Sequence, residues 1–281
     1  MSHRTSLLVV ALATAGTPAL RAQAPAPAPN PYRVLNIARE SVKPGKGGAH
    51  DKLEAEWAKG LADAKMPYGL LAISAVTGPR ETWFVAGFPS HAEYARMSKA
   101  FGDMPALGAV STRLDPKEGE LLSDARGMML VLRDDLSYGA GSNLPMMRFM
   151  SVTRASVRPG HVAEYVDARK TIKQAHEKAR LTDNYSIYEA TAGAPAGTFF
   201  TFVARKSLAE LDEGATIHGP EYLAALGGEE GRAKMATMSG NFLISSQTDH
   251  FAFVPSQSIV AAAWAAADPS YWKLRTTPIT P

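Results

Sequence analysis

The sequence has 281 residues, of which 46% are hydrophobic and 20% charged, enough for one large or two ordinary globular domains. Cysteine is absent, which excludes disulfides, thiolate metal sites and a cysteine nucleophile. Beyond the N-terminal region no run of roughly 18 apolar residues and no Lys/Arg cluster occurs, so neither a membrane span nor nucleic-acid binding is expected.

Residues 1–24 have the pattern of a secretory signal peptide. Arg4 is followed by an apolar run over residues 7–15 and by the cleavage signal Ala22-Gln23-Ala24. This pattern predicts cleavage after Ala24 and a secreted or periplasmic protein. Removal of the leader leaves 28 basic and 27 acidic side chains, so the overall charge points to no particular partner. Residues 25–31 are rich in proline and alanine and read as a linker.

The remaining chain repeats itself with an offset of 115 residues. Residues 33–45 and 148–160 are identical at six of thirteen positions, including Arg39 with Arg154 and the Pro-Gly turn that follows. The offset predicts two homologous domains, 32–140 and 146–255, joined by a linker over 141–145. We expect the offset to return to 115 at Asp134 and Asp249. The tail over 256–281 has no counterpart in the first copy, and its pattern suggests a short helix on the barrel.

Each copy has the pattern β-α-β-β-α-β. The predicted elements are a first strand (32–42 or 148–157), an amphipathic helix, two strands around a turn (70–76 and 82–88, or 185–191 and 198–204), a helix from Ser90 or Ser207 with a capping box, and a last strand (127–135 or 241–249). This is the ferredoxin-like order.

Both faces of the first strand are at least half apolar, so the face without helices should also be buried. Two copies in one chain can cover each other. We therefore predict an α+β protein in which two tandem ferredoxin-like domains pack sheet to sheet as an intramolecular dimeric α/β barrel.

The tandem copies, the element order and the V-[KR]-P-G turn resemble the dimeric α/β-barrel superfamily. Its antibiotic-biosynthesis-monooxygenase-like, NIPSNAP-like and stress-responsive members share this order. The resemblance implies cofactor-free oxygenation, proton transfer or plain ligand binding. Haem-degrading members need an asparagine that would fall at Ala38 or Thr153 here, so haem degradation is disfavoured.

The resemblance also directs attention to two histidines. Similar barrels often have a histidine in the second helical segment that points into the pocket, which here implies His218 as a general base. His176 replaces Leu61 of the first copy on an apolar helix face and is the second candidate. Asn36, Tyr188 and Tyr222 are candidate positioning donors. The alternative for each of these two histidines is a structural hydrogen-bonding role, and His50, His91 and His161 are expected to be solvated.

The leading functional hypothesis is binding, with or without transformation, of a small apolar or aromatic molecule. The alternative is a structural or assembly protein with a packed barrel, and haem binding ranks last. We expect neither a cofactor nor a bound metal. A second copy of the chain is a candidate partner, which would give a homodimer. The recurring Arg39 and Arg154 are expected to pair with Asp134 and Asp249, so that Arg154→Ala should mainly lower the melting temperature.

Overall fold

The structure is a computed structural model that describes residues 30–139, 143–212, 219–272 and 276–277. Eight strands form a closed antiparallel barrel. They are β1 (Val34–Val42), β2 (Leu71–Ala75), β3 (Glu81–Phe88), β4 (Leu122–Leu132), β5 (Phe149–Val157), β6 (Ser186–Ala192), β7 (Thr198–Arg205) and β8 (Leu243–Phe253). The order around the barrel is β1-β3-β2-β8-β5-β7-β6-β4.

The barrel closes within one chain because each half donates an edge strand to the other. β2 pairs with β8, and β4 pairs with β6. These two seams satisfy backbone groups that would otherwise form exposed sheet edges. The predicted fold class, an α+β barrel made of two ferredoxin-like halves, is confirmed.

The helices cover the outside of the barrel. They are α1 (Gly47–Asp63), α2 (His91–Gly102), α3 (Pro105–Leu121), α4 (Val162–Ala179), α5 (Pro220–Leu226), α6 (Gly228–Phe242) and the tail helix α7 (Ala262–Ala267). Within the described ranges no helix is long and apolar enough to cross a lipid bilayer.

The second helical segment of each half is two helices rather than the one that was predicted. Pro105 starts a new helix in the first half, and Gly227, with φ of 103°, separates α5 from α6 in the second. The Ser90 side chain caps α2 by accepting from the Glu93 amide at 3.1 Å. After Ser207 only a 3-10 turn, Leu208–Leu211, forms, and its amide groups receive no side-chain cap from Ser207.

The offset between the halves does not return to 115 at the last strand. Val42 lies opposite Leu122, whereas Val157 lies opposite Leu243, so the last strands match with an offset of 121. Asp249 therefore corresponds to Met128 and not to Asp134. The prediction was wrong because the second helical segments differ in length, which a short sequence match cannot detect.

The barrel lumen is filled mainly by apolar side chains. Buried residues from all eight strands contribute, namely Leu35, Ile37, Ile73, Trp83, Met128, Leu130, Leu132, Met150, Val152, Tyr188, Phe200, Phe202, Phe251 and Phe253. The tail closes one end of the lumen, where the Trp272 ring packs on this cluster and its Nε1–H donates to the Pro145 carbonyl at 2.6 Å. The opposite end, at the carboxyl ends of β1 and β5, holds a pocket.

Candidate functional site

The pocket is a cavity of about 220 Å³ at the end of the barrel away from the tail. Both halves contribute side chains that point towards the lumen. The lining residues are Arg39, Pro79, Glu81, Trp83, Val152, Arg154, Gln247, Asp249 and Phe251. We call this the barrel-end pocket.

The first half contributes three side chains to the barrel-end pocket that bond to one another. Arg39 Nη2 donates to both carboxylate oxygens of Glu81 at 2.8 and 2.9 Å, and the Trp83 indole N–H donates to the same carboxylate at 2.7 Å. The Arg39 guanidinium carbon also lies 4.7 Å from the centre of the Trp83 ring. The charge of Arg39 is therefore neutralised inside the protein, while its buried Nε–H lacks a hydrogen-bond partner.

The second half contributes groups that remain available. Arg154 is exposed, and no ion pair or hydrogen bond joins its guanidinium to another described residue. Asp249 accepts a hydrogen bond from Gln247 at 2.9 Å, and this donor carries no charge. The predicted pairing of the recurring arginines is wrong. Glu81 is the partner of Arg39, and Asp134 instead pairs with Arg33 at 2.7 Å.

The floor of the barrel-end pocket is apolar. Trp83 and Phe251 are buried with ring centres 4.9 Å apart, and Val152 lies beside them. A cavity of about 150 Å³ is large enough for benzene, so a single substituted ring fits a cavity of about 220 Å³.

A haem does not fit the described site. The volume lies below the range of about 300–1,000 Å³ typical of ligand pockets, and none of the described residues that line it is a histidine. We therefore derive no chemistry through haem.

His176 and Tyr222 lie together, but outside the barrel lumen. The His176 ring is buried beneath α5, with its centre 5.0 Å from that of Tyr222 and 5.2 Å from those of Tyr138 and Tyr185. His176 Nδ1–H donates to the Ile172 carbonyl at 2.8 Å. Burial raises the pKa of the Tyr222 hydroxyl above its ordinary value. Neither side chain lines the barrel-end pocket.

Asn36 and Tyr188 lie on opposite sides of the barrel wall. Asn36 is on the outer face of β1, opposite Ala86 and Met129 of the neighbouring strands. Tyr188 faces the lumen at the closed end, where its hydroxyl donates to the Tyr32 carbonyl at 2.6 Å. Burial raises its pKa, so this hydroxyl stays protonated. The structure thus separates the two residues from each other and from the barrel-end pocket.

The structure describes the position of His50 but not that of His218. His218 lies outside the described residues. His50 was expected to be solvated, but it is buried, because its ring turns inward from the first turn of α1 towards Glu40 on the outer face of β1. Helix position alone did not reveal this, since the polar partner lies ten residues earlier in the sequence.

Sequence reasoning missed most of the barrel-end pocket, although a signal was present. Once Arg39 and Arg154 are recognised as recurring, strand alternation identifies the residues that share their face. On β3 these residues are Glu81 and Trp83. On β8 they are Gln247 and every second residue after it, Asp249 and Phe251. What the sequence could not supply was the pairing of strands from different halves.

Comparisons with known proteins place the fold and leave the activity open. No protein-family profile matches the sequence, and no curated protein matches it either. Among solved structures, an anthrone oxidase-like protein matches with a TM-score of 0.52 at 12% identity, covering 79% of this chain and 92% of that one. At this identity the match shows the shared barrel fold alone.

Two other structures match at lower scores. A candidate monooxygenase from Lactobacillus acidophilus NCFM gives a TM-score of 0.48 at 7% identity, covering 78% of this chain and 93% of that one. A mutant chlorite dismutase from Candidatus Nitrospira defluvii gives 0.47 at 12% identity, covering 80% and 93%.

Proposed function

We propose that the barrel-end pocket binds a small single-ring aromatic acid that also carries a hydroxyl group. The observation that supports this most directly is the placement of Arg154 and Asp249 beside a floor of buried aromatic rings. The ring would pack on Trp83 and Phe251, the carboxylate would take hydrogen bonds from Arg154, and the hydroxyl would donate to Asp249.

The distribution of charge supports this ligand class. Arg39 is neutralised by Glu81, so Arg154 is the lining cation with no described partner. A hydrogen bond to a charged group contributes about 1.5–3 kcal/mol, which corresponds to roughly 10- to 150-fold in affinity. Stacking on the aromatic floor adds affinity without distinguishing acids from amides.

The experiment compares 4-hydroxybenzoate with its neutral analogue 4-hydroxybenzamide by isothermal titration calorimetry. We expect the acid to bind at least ten times more tightly to the unmodified protein. Arg154→Gln should abolish this preference and leave the weaker amide binding unchanged. Arg158→Gln is the matched control, because Arg158 lies on the same corner, outside the pocket, and donates to the Asn241 carbonyl at 3.1 Å. The proposal would be refuted if neither probe binds, or if Arg154→Gln prefers the acid over the amide as strongly as the unmodified protein does.

A second candidate is removal of the hydroxyl proton from the bound ligand, which leaves a phenolate that O2 can oxidise, as in cofactor-free oxygenation. It is favoured by Asp249, a pocket carboxylate whose one described hydrogen bond comes from a neutral amide. Asp249→Asn would then keep binding of the acid but lose oxygen consumption with an oxidisable phenol. If the unmodified protein also consumes no oxygen, the site is a binding site only.

We further propose export and a homodimer. Export rests on the leader over residues 1–24, and mass spectrometry of protein from the periplasm should give an N-terminus at Pro25. A uniform cytoplasmic pool that retains Met1 would contradict it. The dimer is tested by light scattering, where a single-chain mass would exclude it. We also propose, from the resemblance alone, that the chain is related to the NIPSNAP-like group of these barrels.

A further inference from the structure

A buried polar cluster lies outside the barrel, between β1 and α1, and shares no residue with the barrel-end pocket. It consists of Glu40 on the outer face of β1 with His50 and Glu54, which are one turn apart on α1. Their exposed fractions are 8%, 1% and 4%. Acidic side chains are rarely buried this completely without a compensating charge.

The geometry of the cluster converges on one point. His50 Nε2 lies 2.9 Å from Glu40 Oε2 and 3.8 Å from Glu54 Oε1, and one donor atom from each residue lies within 4.8 Å of the others. Zn²⁺ with ligands at about 2.0–2.1 Å in tetrahedral geometry requires donor separations of about 3.3 Å. The two His50–carboxylate separations thus lie within about half an ångström of this value, and the third separation, between Glu40 and Glu54, is within 4.8 Å.

The cluster also lacks a cation. Glu54 Oε1 is buried and has no hydrogen-bond partner, and no lysine or arginine in the described ranges forms an ion pair with Glu40 or Glu54. The buried Glu54 oxygen therefore points into the cluster without the positive partner that a buried carboxylate needs.

The second half of the chain provides an internal comparison. At the positions that match Glu40, His50 and Glu54 it has Ala155, Tyr165 and Arg169. Tyr165 is buried there and packs on the Phe199 ring at 4.5 Å. The same corner of the fold is therefore closed by apolar packing in one half, so the barrel itself does not require the polar cluster.

We propose that Glu40, His50 and Glu54 bind a divalent transition-metal ion, with Zn²⁺ as the reference ion. One imidazole and two carboxylates form a borderline donor set that suits Zn²⁺ or Mn²⁺ better than Ca²⁺. Asp51 lies outside this set, with its Oδ1 4.0 Å from His50 Nδ1. Because the cluster is closed to solvent, the ion would tie β1 to α1 rather than act on a substrate.

The test uses the tag-free full chain, first stripped with EDTA and then titrated with Zn²⁺, Mn²⁺ and Ca²⁺. We expect one Zn²⁺ per chain by elemental analysis after dialysis. At 100-fold excess over the Kd, the melting temperature should rise by about 5–10 °C. Ca²⁺ should have no effect, because it prefers sites made entirely of oxygen ligands.

Matched variants separate metal binding from folding. Glu54→Gln should lower Zn²⁺ affinity at least tenfold while the melting temperature in EDTA stays equal or rises, because a buried ionisable group is removed. Glu56→Gln on the exposed side of the same helix should bind Zn²⁺ like the unmodified protein. If Glu54→Gln fails to fold, Glu40→Gln takes its place. Substoichiometric Zn²⁺, or equal Zn²⁺ affinity in the cluster variants and Glu56→Gln, would overturn the proposed metal site.

Discussion

Replacing Arg39 by alanine should destabilise the protein far more than replacing Arg154, although the two occupy the same position in the two copies. Removing one partner of a buried ion pair costs about 3–5 kcal/mol. The Arg39 and Glu81 side chains keep 19% and 13% of their exposure, so solvent reduces this cost to about 2–3 kcal/mol. Loss of the stacking of Arg39 on Trp83 adds about 0.5–1 kcal/mol.

A total of about 3 kcal/mol corresponds to a fall in melting temperature of about 6–12 °C. Arg154→Ala should change it by less than about 2 °C, because Arg154 is exposed and has no described partner. Differential scanning fluorimetry and urea melts measure both. Arg39→Lys should fall between them, since lysine keeps the charge but loses the planar stacking. Equal losses in the two alanine variants would refute the division of roles between the arginines.

Trp83→Phe keeps an aromatic ring but removes the N–H that donates to Glu81, so a urea melt should show a loss of about 1.5–3 kcal/mol; an unchanged midpoint would mean that this bond contributes nothing. Gly78 has φ of 77°, and an added Cβ would lie 2.4 Å from Asp249 Oδ1. Gly78→Ala should therefore cost at least about 1 kcal/mol and weaken 4-hydroxybenzoate binding, and unchanged affinity in calorimetry would show that Asp249 does not contact the probe. His176→Leu removes a buried imidazole whose Nε2 lies 3.5 Å from Asp183 Oδ2, outside the barrel-end pocket, so titration should show an unchanged affinity for 4-hydroxybenzoate; a tenfold loss of affinity would instead assign His176 to the site.

The structure also changes the interpretation of individual polar residues. Strand alternation puts Leu35 and Ile37 on one face of β1, and in the structure that face lines the lumen. It could not show that Glu40, two residues from a solvent-exposed Ala38 on the same strand face, would be buried against His50. The burial of a polar side chain depends on which helix covers that part of the sheet, and this is settled by packing rather than by local pattern.

The sequence by itself determined the duplication, the order of strands and helices within each copy, and hence a barrel made by one chain. These follow from local periodicity and from residues that recur at a fixed offset, both of which are written along the chain. Only the tertiary structure decided that Arg39 turns to Glu81 while Arg154 pairs with no described residue, and that Asp249 lines the same pocket. The reason is physical: the barrel-end pocket is assembled across the seam between β2 and β8, whose paired residues lie more than 170 positions apart in the chain, and local sequence carries no record of that register.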